Sequence, residues 1–218
     1  MKKLIIWDFD GVIADTEKLW IQSRMELLYK FFGIDWNFDT ALKYIGGMSD
    51  KDKNIVLNNL GIPTDDNFWI EAANLDKIKF NEGFMLTDYI ENIFMNKNFD
   101  QCIATGGVYT KTKNKMKVVN IEKYFPDSRV FTIDLVEKGK PDPDLFLLAA
   151  KTMNYKPENC IVVEDSIAGL TAAVRANMTP VAFVKYSNDF YINEIKKLGI
   201  KNIFDDMRDV ETFVISTL

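Results

Sequence analysis

The feature that most restricts how this chain can fold is a repeated alternation. Short apolar runs are each followed by a polar turn and then by a segment with helical spacing. The runs lie at 3–7, 101–104, 130–133, 160–163 and 181–184, with a weaker one at 202–204. Between them Ile167, Leu170, Thr171 and Val174 repeat at i, i+3, i+4, i+7, and Tyr191, Ile195 and Leu198 do so more loosely. Short apolar strands alternating with amphipathic helices predict an α/β fold, a parallel sheet covered by helices on both faces. In such sheets ligands gather beyond the carboxyl ends of the strands.

One stretch breaks the rhythm. From 16 to 80 there is no strand pattern, only helical ones. Ile21, Met25, Leu28 and Phe32 form a stripe ended by Gly33, and 50–60 and 66–80 read as further helices separated by "GIPTDD". This predicts an all-helical insert at 16–80 in a core made of 1–15 and 81–218. The insert leaves and re-enters at the rim where a ligand binds, which places it as a lid. Its aromatics Trp20, Phe31, Phe32, Trp36 and Phe38 are assigned to the lid interior.

The 218 residues are 47% hydrophobic, enough for a core, and the net charge of −5 argues against a nucleic-acid partner. Cys102 and Cys160 both lie in apolar runs, so two buried free thiols and a reducing, cytoplasmic setting are expected. The apolar run in "MKKLIIWD" is too short for a signal segment, and no stretch reaches membrane-spanning length. There is no histidine. That excludes histidine triads, histidine-ligated zinc and imidazole acid–base chemistry. Carboxylates, lysines, hydroxyls, backbone amides and a hard metal ion remain.

Those groups sit where the strands end. Asp8 and Asp10 follow the first strand, Thr105, Gly106 and Gly107 the second, Lys138 and Lys140 the third, and Glu164 and Asp165 the fourth. Parallel strands bring these ends to one edge. Carboxylates crowded there repel one another unless a cation joins them. Lys140 alone is not enough, and a hard divalent ion such as Mg2+ fits. The Thr105 hydroxyl, the Gly106 amide and Lys140 are donors suited to a phosphate. Gly106–Gly107 reads equally well as a plain flexible turn. Lys138 and Lys140 compete for one role, and the following "PDP" favours Lys140. Asp15 reads as a turn residue, and Ser166 as a helix cap.

"DFDGVIADTE", "ATGG", "KGKPDPDLF" and "VVEDSIAGLTAA" together resemble the four motifs of the haloacid-dehalogenase-like (HAD) phosphohydrolases. The likeness is to the branch with a helical cap that includes beta-phosphoglucomutase and small sugar-phosphate phosphatases. It implies a Rossmann-like core with an inserted cap. It also implies a nucleophile at Asp8, which becomes an aspartyl-phosphate, and a general acid/base at Asp10. Mg2+ would be held by Asp8, Asp165 and the Asp10 carbonyl, with Glu164 assisting from the outer shell, and the phosphoryl group gripped by Thr105 and Lys140. Asp8, Asp10, Glu164 and Asp165 together form the expected metal set.

Within that branch the chain departs from the mutase pattern. Trp20 stands where that pattern has a histidine, and Asp50 where it has a phosphate-binding arginine. The expectation is a phosphatase acting on a small phosphorylated metabolite, similar to 6-phosphogluconate phosphatase-type enzymes, with a mutase or a non-catalytic ligand-binding relative as alternatives. The Gly46–Gly47–Met48 loop would face the site and select the leaving group. With no basic residue in it, a polyol or sugar phosphate is expected. A monomer is the default.

Overall fold

The structure is a computed structural model that describes residues 2–218. Strands β1 (Leu4–Trp7), β2 (Asp100–Thr105), β3 (Val130–Thr132), β4 (Cys160–Glu164), β5 (Thr179–Phe183) and β6 (Ile203–Phe204) form one sheet in the order β3-β2-β1-β4-β5-β6. Every pairing is parallel. All six expected strands are present, displaced by no more than about two residues, as edge assignments usually are.

β1 is buried throughout, and its alternation divides the core. Ile5 and Trp7 pack on one face with Val210 and Val214 of α10 (Met207–Ser216) and with Ile93 and Phe94 of α5 (Ile90–Phe94). Leu4 and Ile6 pack on the other with Phe146 and Ala149 of α7 (Asp144–Thr152) and with Ala172 and Ala173 of α8 (Ile167–Arg175). α6 (Tyr109–Val118) follows β2, and α9 (Asp189–Lys197) follows β5. Both cysteines are buried and free, as their apolar context implied. No helix among the described residues is long and apolar enough to cross a membrane.

Ahead of α5, the chain between β1 and β2 forms four further helices: α1 (Glu17–Phe32), α2 (Phe38–Ile45), α3 (Asp50–Asn59) and α4 (Asp66–Glu82). They bury a cluster of their own, with Ile21, Leu28, Ile45, Leu57 and Phe68 at its centre. Phe31, Phe32, Trp36 and Phe38 pack around it, whereas Trp20 does not. The chain leaves and returns by adjacent segments, joined where Asp15 N–H donates to the Met85 carbonyl and Thr87 N–H to the Ile13 carbonyl, both at 2.9 Å. Met48, in the turn between α2 and α3, is buried against Leu170, Tyr191 and Ile195 and so touches the sheet-bearing part directly.

The strand order reverses direction at β1, with β2 on one side and β4 on the other. A crevice therefore opens at the carboxyl end of β1. Asp8 is the first residue there.

Candidate active site

A cavity of about 1000 Å³ lies between the carboxyl ends of the strands and the helices α1–α4. Asp8, Asp10, Thr105, Gly106, Gly107, Lys140, Glu164 and Asp165 all line it, so of the residues singled out at the strand ends only Lys138 stands outside it. Lys138 is exposed on the surface, and Asp15 accepts hydrogen bonds from Lys185 (3.1 Å) and the Tyr186 hydroxyl (2.9 Å).

Asp8 continues the β1 ladder by donating its N–H to the Val163 carbonyl at 3.0 Å. Its Oδ1 accepts from Lys140 Nζ at 2.5 Å, and the same ammonium donates to Glu164 Oε1 at 2.6 Å and to the Ala104 carbonyl at 3.2 Å. Those three bonds use all the donors a lysine has. The Phe146 ring, 5.0 Å from Nζ, closes the remaining side. Lys140 is thus a fixed charge. Burial works against that charge, but Asp8 and Glu164 more than offset it and hold the lysine above its ordinary pKa.

Glu164 is tied down from two sides. Its Oε1 takes Lys140, and its Oε2 takes the Ser166 N–H at 2.7 Å and hydroxyl at 2.9 Å. Both oxygens are committed, so Glu164 orients Lys140 and the β4–α8 turn rather than reaching toward a cation. Gly169 makes this possible: a Cβ there would fall inside the Glu164 carboxylate. The Ser166 hydroxyl also accepts the Gly169 N–H at 3.0 Å, capping α8 as the sequence suggested.

The Asp10 carboxylate also departs from the expected metal set. It is turned to Lys115, whose Nζ lies 2.7 and 2.6 Å from its two oxygens. That ammonium rests over the rings of Phe9 (5.7 Å) and Phe80 (5.0 Å). The sequence reading missed Lys115 because it lies in the lysine-rich run "KTKNKMK", which looks like solvated surface. The signal was its spacing: Thr112 and Met116 are the buried positions of α6, and Lys115 shares their face.

Among the described residues no three or more Cys, His, Asp or Glu side chains are grouped to hold a metal ion. Two carboxylates, Asp8 and Asp165, are left beside the Asp10 backbone. Gly11, at φ +79°, admits this approach, since a Cβ there would occupy the Asp165 carboxylate. Burial first, then Glu164 and Asp10, push the Asp8 carboxyl up to about 7 against the pull of Lys140. Burial, Glu164, Asp8 and Glu17 hold Asp165 well above the carboxylate range. Lys140 pairs with Asp8 and Glu164, and no ion pair among the described residues includes Asp165. Ionised, the three carboxylates carry two negative charges more than Lys140 matches. A hard divalent ion with oxygen ligands fits that deficit and that donor set.

Thr105 is buried at the end of β2, and its hydroxyl accepts the Gly107 N–H at 3.1 Å. Gly106 beside it is exposed to the cavity. Across the cavity stand Glu17, Trp20, Arg24, Asp50, Lys53 and Asp76. The Gly47–Met48 turn does face the site, yet the wall around it is not free of basic residues: Arg24 and Lys53 reach it from α1 and α3. Trp20, assigned from sequence to the lid interior, lines this wall instead.

The chain is similar to named proteins over most of its length. It is 28% identical over 187 residues to the phosphorylated carbohydrates phosphatase of Thermotoga maritima, covering 84% of this chain and 85% of that one. A shorter match, 40% identical over 77 residues, is to the 6-phosphogluconate phosphatase of Escherichia coli and covers 35% of this chain and 34% of that one. In fold it is similar to a haloacid dehalogenase-like protein from Agrobacterium tumefaciens, with a TM-score of 0.84, 23% identity and coverage of 100% and 99%. The sequence profile of the haloacid dehalogenase-like hydrolases matches residues 5–183. This chain belongs to the haloacid dehalogenase-like hydrolase family.

Proposed function

We propose that the protein is a magnesium-dependent phosphatase of small phosphomonoesters, most of all sugar or polyol phosphates, that works through a phosphorylated Asp8. The observation that carries this is the Asp8–Lys140–Glu164 chain beside Asp165, in which one carboxylate faces the cavity with its charge fixed by a saturated lysine. The names of the Thermotoga and Escherichia relatives support the phosphorylated-carbohydrate class.

In the first step an Asp8 oxygen bonds to phosphorus, the bond to the leaving alcohol breaks, and Asp10 gives that alcohol its proton. In the second, Asp10 takes a proton from water, the hydroxide attacks phosphorus, and the Asp8–phosphorus bond breaks to release phosphate. Dividing hydrolysis in this way suits a carboxylate nucleophile. The Thr105 hydroxyl and the Gly106 amide orient the phosphoryl oxygens, and the charge of Lys140, whose donors are committed elsewhere, helps to neutralise them. Asp8, Asp165 and the Asp10 carbonyl would hold magnesium, which when bound offsets the negative charge brought together at phosphorus. The helices α1–α4, 16–80 in the sequence reading, act as a cap hinged on the paired segments at 13–15 and 85–87. Metal-dependent release of p-nitrophenol from p-nitrophenyl phosphate tests the reading, and a protein inert in this assay with and without magnesium refutes it.

The raised Asp8 pKa fixes a second expectation. A carboxyl whose pKa is higher folded than unfolded stabilises the fold fully below its unfolded value, near 3.8, and loses that contribution as pH climbs through about 7. The metal-free protein therefore becomes less stable from pH 5 to pH 8. Magnesium reverses the loss. At a hundredfold excess over Kd the rise in Tm at pH 8 is on the order of 5–10 °C, and it shrinks toward zero at pH 5. Thermal melts at the two pH values, with magnesium and with chelator, check this.

Lys115 supplies another prediction. Lys115→Met frees the Asp10 carboxylate from its fixed direction and lowers kcat on an alkyl phosphate about tenfold with KM little changed, whereas Lys115→Arg recovers most of it. The loss on p-nitrophenyl phosphate is smaller, because its leaving group departs without a proton. Equal losses on both substrates would remove Lys115 from proton transfer.

A further inference from the structure

The cavity wall opposite Asp8 faces the leaving group of the proposed reaction, so any role given to it rests on the phosphatase reading. Glu17 opens α1 and is buried, with Oε1 accepting the Gly47 N–H at 3.2 Å. Lys53 on α3 is only 2% exposed. Its ammonium lies 3.6 Å from Glu17 Oε1, too far for a hydrogen bond, and no other ion pair among the described residues includes it. Both side chains line the cavity. A buried ammonium and a buried carboxylate thus stand side by side in the cavity lining without a hydrogen bond between them.

The rest of the wall is neutralised or acidic. Arg24 donates through Nη1 to both oxygens of Asp76 (2.7 and 2.8 Å) and through Nη2 to Asp50 (2.8 Å). Asp52 also lines the cavity. Glu17, Asp50, Asp52 and Asp76 outnumber Arg24 and Lys53. An anion seated on Lys53 would also lie against Glu17, in a wall with an excess of negative charge. An uncharged hydroxyl meets no such conflict, since it donates to Glu17 and accepts from Lys53 with the same oxygen.

We propose that Glu17 and Lys53 form a clamp for neighbouring hydroxyls, which makes the enzyme selective for phosphomonoesters of uncharged polyols and turns away leaving groups that carry a carboxylate or a second phosphate. Rejection works through repulsion as much as fit, the usual way a charged site gains specificity.

Glucitol 6-phosphate and 6-phosphogluconate test this directly, because they share the phosphate end and differ at the far carbon, a hydroxymethyl in one and a carboxylate in the other. With the magnesium-loaded full chain, kcat/KM favours glucitol 6-phosphate by roughly tenfold or more. Glu17→Gln keeps the shape of the side chain but removes the opposing charge, so it narrows or inverts the ratio by raising the rate on 6-phosphogluconate. Lys53→Met raises KM for glucitol 6-phosphate. Equal kcat/KM values for the wild-type protein, or a preference for the carboxylate, overturn the clamp. So does a Glu17→Gln variant that slows both substrates by the same factor, the signature of a purely structural residue. Absence of turnover on p-nitrophenyl phosphate by the wild type overturns the phosphatase reading itself, whereas an active enzyme without the preference overturns the clamp alone.

Discussion

Asp8→Asn releases phosphate at least about 10⁴-fold more slowly than the wild type, and it does so without losing its fold. The substitution is isosteric, so the Val163 and Lys140 contacts persist, but an amide oxygen does not form a stable bond to phosphorus. Stability moves the other way. In the metal-free protein at pH 8 Asp8 is held ionised against burial and against Glu164 and Asp10, and a neutral amide removes that conflict. The variant therefore melts a few degrees higher than the metal-free wild type while being inactive. A calorimetric scan beside a phosphate-release assay checks both halves. Turnover at the wild-type level would end the nucleophile assignment, and a marked fall in Tm would contradict the electrostatic account of the site.

The other large effect belongs to Lys140. Its ammonium is the one positive charge between Asp8 and Glu164, and all three of these side chains are at most 10% exposed. Removing one partner of a buried ion pair leaves the other unmatched and costs about 3–5 kcal/mol. Lys140→Met is accordingly expected to lower Tm by on the order of 10 °C and to reduce turnover by roughly a thousandfold or more. Adding Glu164→Gln separates the two losses. The double variant regains part of the stability, because one of the two unmatched carboxylates is gone, but little of the activity, because nothing then neutralises phosphoryl oxygens beside Asp8. Denaturant midpoints and kcat/KM for the four proteins form the cycle. Recovery of both quantities together would reduce Lys140 to a charge-balancing part of the fold.

How far the sequence revealed this arrangement depends on what kind of information was needed. The apolar runs located β1 to β6 because buried parallel strands leave a pattern that survives without coordinates. Parallel pairing alone then placed Asp8, Thr105, Lys140 and Asp165 at one edge. Directions of side chains were a different matter. That Glu164 turns to Lys140, and Asp10 to Lys115, depends on partners 24 and 105 residues away. Gly11 and Gly169 lay inside the motifs, yet their function as spaces for Asp165 and Glu164 appears only when the carboxylates are built. The cavity wall was legible least of all. A view confined to the Gly46–Met48 loop omitted Lys53 and Arg24, because a helix presents residues to a site at intervals that neighbouring sequence does not announce. Trp20 was misassigned for the same reason, as aromatic character does not distinguish an interior from a lining position.

The Phe80 ring beside Lys115 belongs to the last turn of α4, whereas Phe9, the other ring near the ammonium, lies in the turn that follows β1. The cradle holding this cation is therefore assembled from both halves of the molecule. If the four helices move as the proposed cap, the swing would carry one aromatic wall away and leave the other behind, so the grip on Asp10 would track the posture of the helices like the tongue of a balance. On the proposed mechanism, proton delivery at phosphorus would then be geared to whether the chamber is shut, with no messenger beyond one displaced ring.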